Sequence, residues 1–102
     1  MANDLLQYVE NLREVFQKWL DENSVQVEPE SLGIDRRAVS KYNLRVTDDA
    51  VLVHNDAVRG FDYYGGGEYV DREHRTQICD WHIYWCDDPR VTEWLERHEE
   101  NA

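Results

Sequence analysis

The sequence predicts an α+β domain, a small antiparallel sheet with an N-terminal and a C-terminal helix packed on one of its faces. Three observations predict it. Apolar residues recur at spacings of three and four over residues 4–22, and they alternate with polar ones over 41–47 and 74–86. Asp87-Asp88-Pro89 then opens a second amphipathic segment. The 102 residues amount to one domain, 1–102. At 41% hydrophobic and 12% aromatic, the chain can fill one modest core.

The first element is a helix over 4–22. Leu5, Val9, Leu12, Phe16 and Trp19 share one face, widened by Leu6 and Leu20. Asn3 or Asp4 suits the N-cap, and Asn23 a left-handed end. The stripe reads first as a core face, with a partner seam as its alternative. Val25 and Val27 then mark an edge strand, punctuated by Pro29 and Gly33. Over 41–47, Tyr42, Leu44 and Val46 face one way, and Asp48-Asp49 turns the chain into Ala50–Val53, a β-hairpin. His54-Asn55-Asp56 makes a second turn, after which Ala57–Arg59 extends the pairing.

Residues 60–70 hold three consecutive glycines among aromatic residues and read as a flexible loop. A single long strand over 74–86 follows, with Cys79, Trp81, Ile83 and Trp85 on its core face. The last helix is capped by Asp88, starts at Pro89, and carries Val91, Trp94, Leu95 and His98 on one face. Its tail, Glu99 to Ala102, frays.

The net charge is −11, spread along the chain except for a nearly neutral stretch over 24–60. Lys18 and Lys41 are the only lysines among 11 basic residues. An acidic, lysine-poor surface fits work in concentrated salt, where repulsion is screened. Codon bias in a GC-rich genome gives the same arginine preference. Duplex DNA is a poor partner, because it requires a basic footprint. No apolar run approaches the roughly 20 residues that span a bilayer. The start, Met1-Ala2-Asn3-Asp4, lacks the pattern of a signal peptide, so a cytoplasmic origin is expected.

No motif names a reaction, and no catalytic residue, cofactor or metal is assigned. Cys79-x-x-His82-x-x-x-Cys86 has a zinc-like look. On one strand, however, Cys79 and His82 point to opposite faces, and His82 and Cys86 sit about 13 Å apart. Zinc needs its ligand atoms about 2.0–2.3 Å from one centre. Two free, buried thiols are the expectation. Gly65-Gly66-Gly67 lacks the Lys-Ser/Thr of a phosphate loop.

Two groups suggest contact with partners. Phe61, Tyr63, Tyr64 and Tyr69 flank the glycines, and aromatic residues on a deformable loop offer area with few torsions to freeze. The plain alternative is a hairpin tip. Arg36, Arg37, Lys41 and Arg45 concentrate positive charge within ten positions. They either pair locally with Glu28, Glu30 and Asp35 or hold an acidic neighbour, such as another copy of this chain, head to tail.

A helix like Asp4–Glu22, an edge strand, a hairpin and a long loop are followed by a charged approach (Asp71-Arg72-Glu73-His74-Arg75), a strong strand and an acidic helix. This order resembles the neck and tail-completion proteins of tailed viruses, tail terminators and head–tail connectors, here from a salt-loving host. The resemblance implies a non-enzymatic virion protein, assembled in the host cytoplasm. It would form an oligomeric ring, often of six copies, against other virion proteins. The alternative is a small anti-restriction or anti-CRISPR inhibitor whose carboxylates imitate DNA phosphates. That would need acids in a one-sided row, and here basic residues interrupt them.

Overall fold

A computed structural model describes residues 2–101 of the chain. Helix α1 spans Ala2–Asn23, and strand β1, Val25–Gln26, follows it. Strands β2 (Leu44–Val46) and β3 (Ala50–His54) form the expected hairpin, and helix α2 spans Val58–Tyr64. Strands β4 (Arg75–Ile78) and β5 (Trp81–Trp85) lead into helix α3, Pro89–Asn101. The five strands lie in the order β1-β2-β3-β5-β4, every neighbouring pair antiparallel. The α+β class is therefore as the sequence predicts. Among the described residues, no helix is long and apolar enough to cross a membrane.

Strand β3 is the centre of the molecule. Ala50 to Val53 are four consecutive apolar residues, and all are fully buried. A strand can be apolar on both faces only if both are covered, and here they are. On one face Leu44, Val46, Val51, Val53 and Tyr84 pack with Phe61 of α2, Val91 and Trp94 of α3, and the connecting residues Leu32, Ile34 and Val39. On the other, Ala50, Leu52 and Ile83 lie under Phe16 and Leu20 of α1. The terminal helices thus take opposite faces of the sheet, whereas the sequence reading set both on one. Side chains alternate along β3, so each face demanded its own cover.

Local chemistry explains the ends of the elements. Asp88 caps α3 as expected: its Oδ1 accepts the Arg90 N–H at 2.8 Å, and Pro89 takes the first helical position. The carboxylate also accepts the Asp71 N–H at 2.9 Å, tying the preceding connection to the cap. Glu99 to Asn101 do not fray. Asn101 donates to the Ser31 and Arg97 carbonyls, and Ala102 lies outside the described residues. Because α1 begins at Ala2, Asp4 lies within its first turn rather than before it. Its C-terminal end closes without a left-handed residue: the Asn23 amide donates to the Trp19 carbonyl and Ser24 Oγ to that of Leu20.

Four local expectations are corrected. Tyr42 does not join Leu44 and Val46 in the core; it stands 72% exposed in a 3-10 turn before β2. Ala57–Arg59 does not extend the sheet but leads into α2. The glycine run is not a flexible loop: Gly65 to Gly67 are buried, Gly66 has φ +89°, and Gly67 lies against the Phe61 ring. Residues 74–86 are not one strand but a hairpin, turning at Cys79-Asp80 with Cys79 at φ +54°. The turn contains no Gly, Asn or Pro that would announce it.

Candidate interaction surfaces

Among the described residues, helix α1 enters the core only near its C-terminal end, through Phe16 and Leu20. Arg45 braces that end, donating from Nε to Ser24 Oγ at 2.6 Å and from its terminal nitrogen to the Ser24 carbonyl at 3.0 Å. Every residue from Asp4 to Val15 is exposed. The helix is about 33 Å long at 1.5 Å per residue, and the molecule extends 48 Å along one axis against 26 and 25 Å across it. Most of the stripe read as a core face is therefore uncovered: Leu5 is 65% exposed and Leu12 43%. Tyr8 and Val15, both 66% exposed, extend it on the outward side.

This surface runs without a break into the sheet. A groove of about 300 Å³ lies between Leu12, Val15, Phe16 and Trp19 of α1 and Ile78, Ile83 and Trp85 of the sheet. Phe16 and Trp19 stack with centroids 5.7 Å apart, giving the groove a flat aromatic wall. The sheet face below has one helix on it and is only partly closed, so Ile78, Trp81 and Trp85 remain half-buried. The sequence showed the apolar periodicity. It did not show that one face of the helix would be filled at one end only.

The two contact groups expected from the sequence meet at one point. Gly60 of α2 passes so close to the Ala38 carbonyl that no Cβ fits there. One turn later Tyr64 joins Asp35, Arg37 and Ala38 in lining a groove of about 460 Å³. Arg37 donates to Asp35 through both its backbone N–H and its guanidinium, holding that carboxyl down at about 2. Arg36 lies 3.9 Å from Glu30 and Lys41 lies 3.6 Å from Glu28. Arg45 is on the other side of the sheet, at the end of α1. Tyr63, Tyr64 and Tyr69 are 67–79% exposed. Phe61 is fully buried between Tyr84 and Trp94, so it is a core residue rather than a contact residue.

A polar triad lies beside that core. Tyr84 donates to Asp62 Oδ1 at 2.8 Å, and one Arg75 nitrogen donates to both Asp62 oxygens and to the Tyr84 oxygen. Burial, then the hydrogen bond to the Asp62 carboxylate, pushes the Tyr84 hydroxyl well above the ordinary tyrosine range. A hydroxyl so held stays protonated and braces the fold. His82 Nε2 pairs with Asn55 Oδ1 at 2.8 Å; burial, then the Arg75 charge, lowers its pKa. Cys79 and Cys86 are free thiols. Among the described residues, one set of metal-ligand types converges, Asp71, Glu73 and His74, with ligand atoms within 4.8 Å of one another. Cys79, His82 and Cys86 form no such set. Asp71 and Glu73 are exposed, and Asp71 also caps the 3-10 turn Arg72–His74 by accepting the Glu73 N–H.

The chain matches no known protein family, no curated protein and no solved structure.

Proposed function

We propose that this chain is a non-enzymatic assembly protein that binds other protein subunits through the outward face of α1 and the open sheet face beside it. In the setting its element order resembles, it is a component of a virion neck or tail end, built into an oligomeric ring. One observation carries this reading. Leu5, Tyr8, Leu12, Val15 and Trp19 form a continuous exposed apolar strip on a highly charged chain. Contiguous apolar patches of this kind mark contact sites.

The ion pairs support assembly over mimicry of DNA. Arg36, Arg37, Lys41, Arg75, Arg90 and Arg97 each sit beside a carboxylate, so cations interrupt the acidic surface. A phosphate mimic requires an unbroken row. The test is co-expression with the proteins encoded beside this one, followed by light scattering in high salt. The expected result is a stable complex. A chain that stays at its own 12.2 kDa alone and beside each of those proteins would overturn the reading.

A further inference from the structure

We propose that the α1 strip receives α1 of a second copy of this chain, laid antiparallel along it. This rests on the assembly reading above and names its contact. Leu5, Tyr8, Leu12, Val15 and Trp19 step by three and four alternately. That is the spacing with which two helices interlock side chains along a seam. At 100° per residue, the edge of the seam away from the sheet carries Asp4, Asn11 and Lys18, seven residues apart. The edge toward the sheet carries Val9 and Phe16.

The order of these residues sets the direction of pairing. In an antiparallel pair, one register sets Leu5 against Val15 of the second copy and Tyr8 against its Leu12. The same register brings Asp4 to Lys18 of the second copy, twice by symmetry, and Asn11 onto Asn11 at the two-fold axis. The apolar layers and the polar edge are thus satisfied together. A parallel pair would set Asp4 beside Val9 and Lys18 beside Asn23, leaving both charges without a partner. Among the described residues, neither Asp4 nor Lys18 has an ion-pair partner within its own chain.

The groove agrees with this register. Its walls at Leu12, Val15 and Trp19, with Ile78 and Trp85 below, lie where Leu5 and Tyr8 of the second copy arrive. The antiparallel direction also sets the two sheets at opposite ends of the helix pair. The free length from Asp4 to Val15 leaves room for this. The contact is self-complementary and closes as a two-fold dimer, so a ring would be built from such dimers through a second surface.

The test combines mass measurement with two sets of variants. Light scattering on the full chain is expected to give twice 12.2 kDa. Asn11→Cys is expected to form a disulfide between the substituted positions of two copies under mild oxidation. Its peptide pair identifies that link and separates it from links through Cys79 or Cys86. Asp4→Lys and Lys18→Asp are each expected to weaken the dimer about 3- to 10-fold at low salt, and the double variant to restore it. All three positions are exposed, so circular dichroism should stay unchanged. A chain that associates without the disulfide in Asn11→Cys and without recovery in the double variant would overturn the antiparallel pairing and leave the assembly reading standing. So would a chain that is monomeric alone but binds a virion protein. A chain monomeric beside every candidate would overturn both.

Discussion

Tyr84 gives its hydroxyl hydrogen bond to Asp62 across 2.8 Å, joining β5 to α2. Arg75 of β4 closes the triangle and stacks over the Tyr84 ring, 4.7 Å from its centroid. One buried phenol therefore links three elements. Tyr84→Phe should cost about 1.5–3 kcal/mol, the usual worth of a hydrogen bond to a charged group. Denaturant titration of the two proteins side by side measures it.

Burial of the Tyr84 phenol, then the same bond, shapes the alkaline limb of stability. The folded Tyr84 hydroxyl titrates above its unfolded value. Its contribution is therefore complete below the unfolded pKa of about 10 and is lost as pH rises from there toward the folded value. Urea melts between about pH 9 and 11 should show falling stability in the wild type and a flatter curve in Tyr84→Phe. Parallel curves would sink this account.

The two faces of α1 should separate in stability measurements. Leu20 is fully buried, so Leu20→Ala should cost about 2–5 kcal/mol. Leu5 is 65% exposed, so Leu5→Ser should change the stability of the isolated chain by no more than about 0.5 kcal/mol. Denaturant titration at low protein concentration, where association does not contribute, checks both.

Asp88→Ala should remove both the α3 cap and the tie to Asp71, at a cost of about 1–2 kcal/mol. Burial works to raise the Asp88 pKa, but the N–H bonds from Asp71 and Arg90 outweigh it and hold the carboxyl below its ordinary value. Its contribution is thus present above the unfolded pKa of about 3.9 and fades as pH falls toward the folded value. Acid titration followed by circular dichroism should show a shallower loss in the variant.

Gly60→Ala should destabilise by about 1–3 kcal/mol, the typical cost of overpacking, because the new methyl would displace the Ala38 carbonyl. The same shift would carry Tyr64 away from Arg37. A melting temperature equal to that of the wild type would show that the close approach has room to relax.

What the sequence made legible were features written locally. The repeat in α1, the Thr47–Ala50 turn, the four apolar residues of β3 and the Asp88-Pro89 helix start all announce themselves by spacing or by residue type. What stayed hidden depended on distant partners. Leu5 and Phe16 look alike on a helical wheel, yet only Phe16 finds a sheet beneath it. Phe61 sits among glycines and tyrosines like a contact residue, but Tyr84 and Trp94 enclose it. Cys79 holds a left-handed turn with a residue type that seldom does so, which concealed the β4–β5 hairpin inside an alternating pattern. Arg37 and Tyr64 are far apart in the chain, and only the passage of Gly60 over Ala38 brings them together.

Tyr63, Tyr64 and Tyr69 owe their setting to the buried glycines between them. A mobile loop would have to surrender about 1–2 kcal/mol of backbone freedom per residue on meeting a ligand. With Gly65 and Gly67 seated against Phe61 and Gly66 already in its left-handed state, that ordering is complete at the moment of folding. Only the side-chain torsions of the three phenols remain to be frozen. The consequence concerns shape: any surface that met these phenols would have to match them as they stand, because the backbone beneath them is already set.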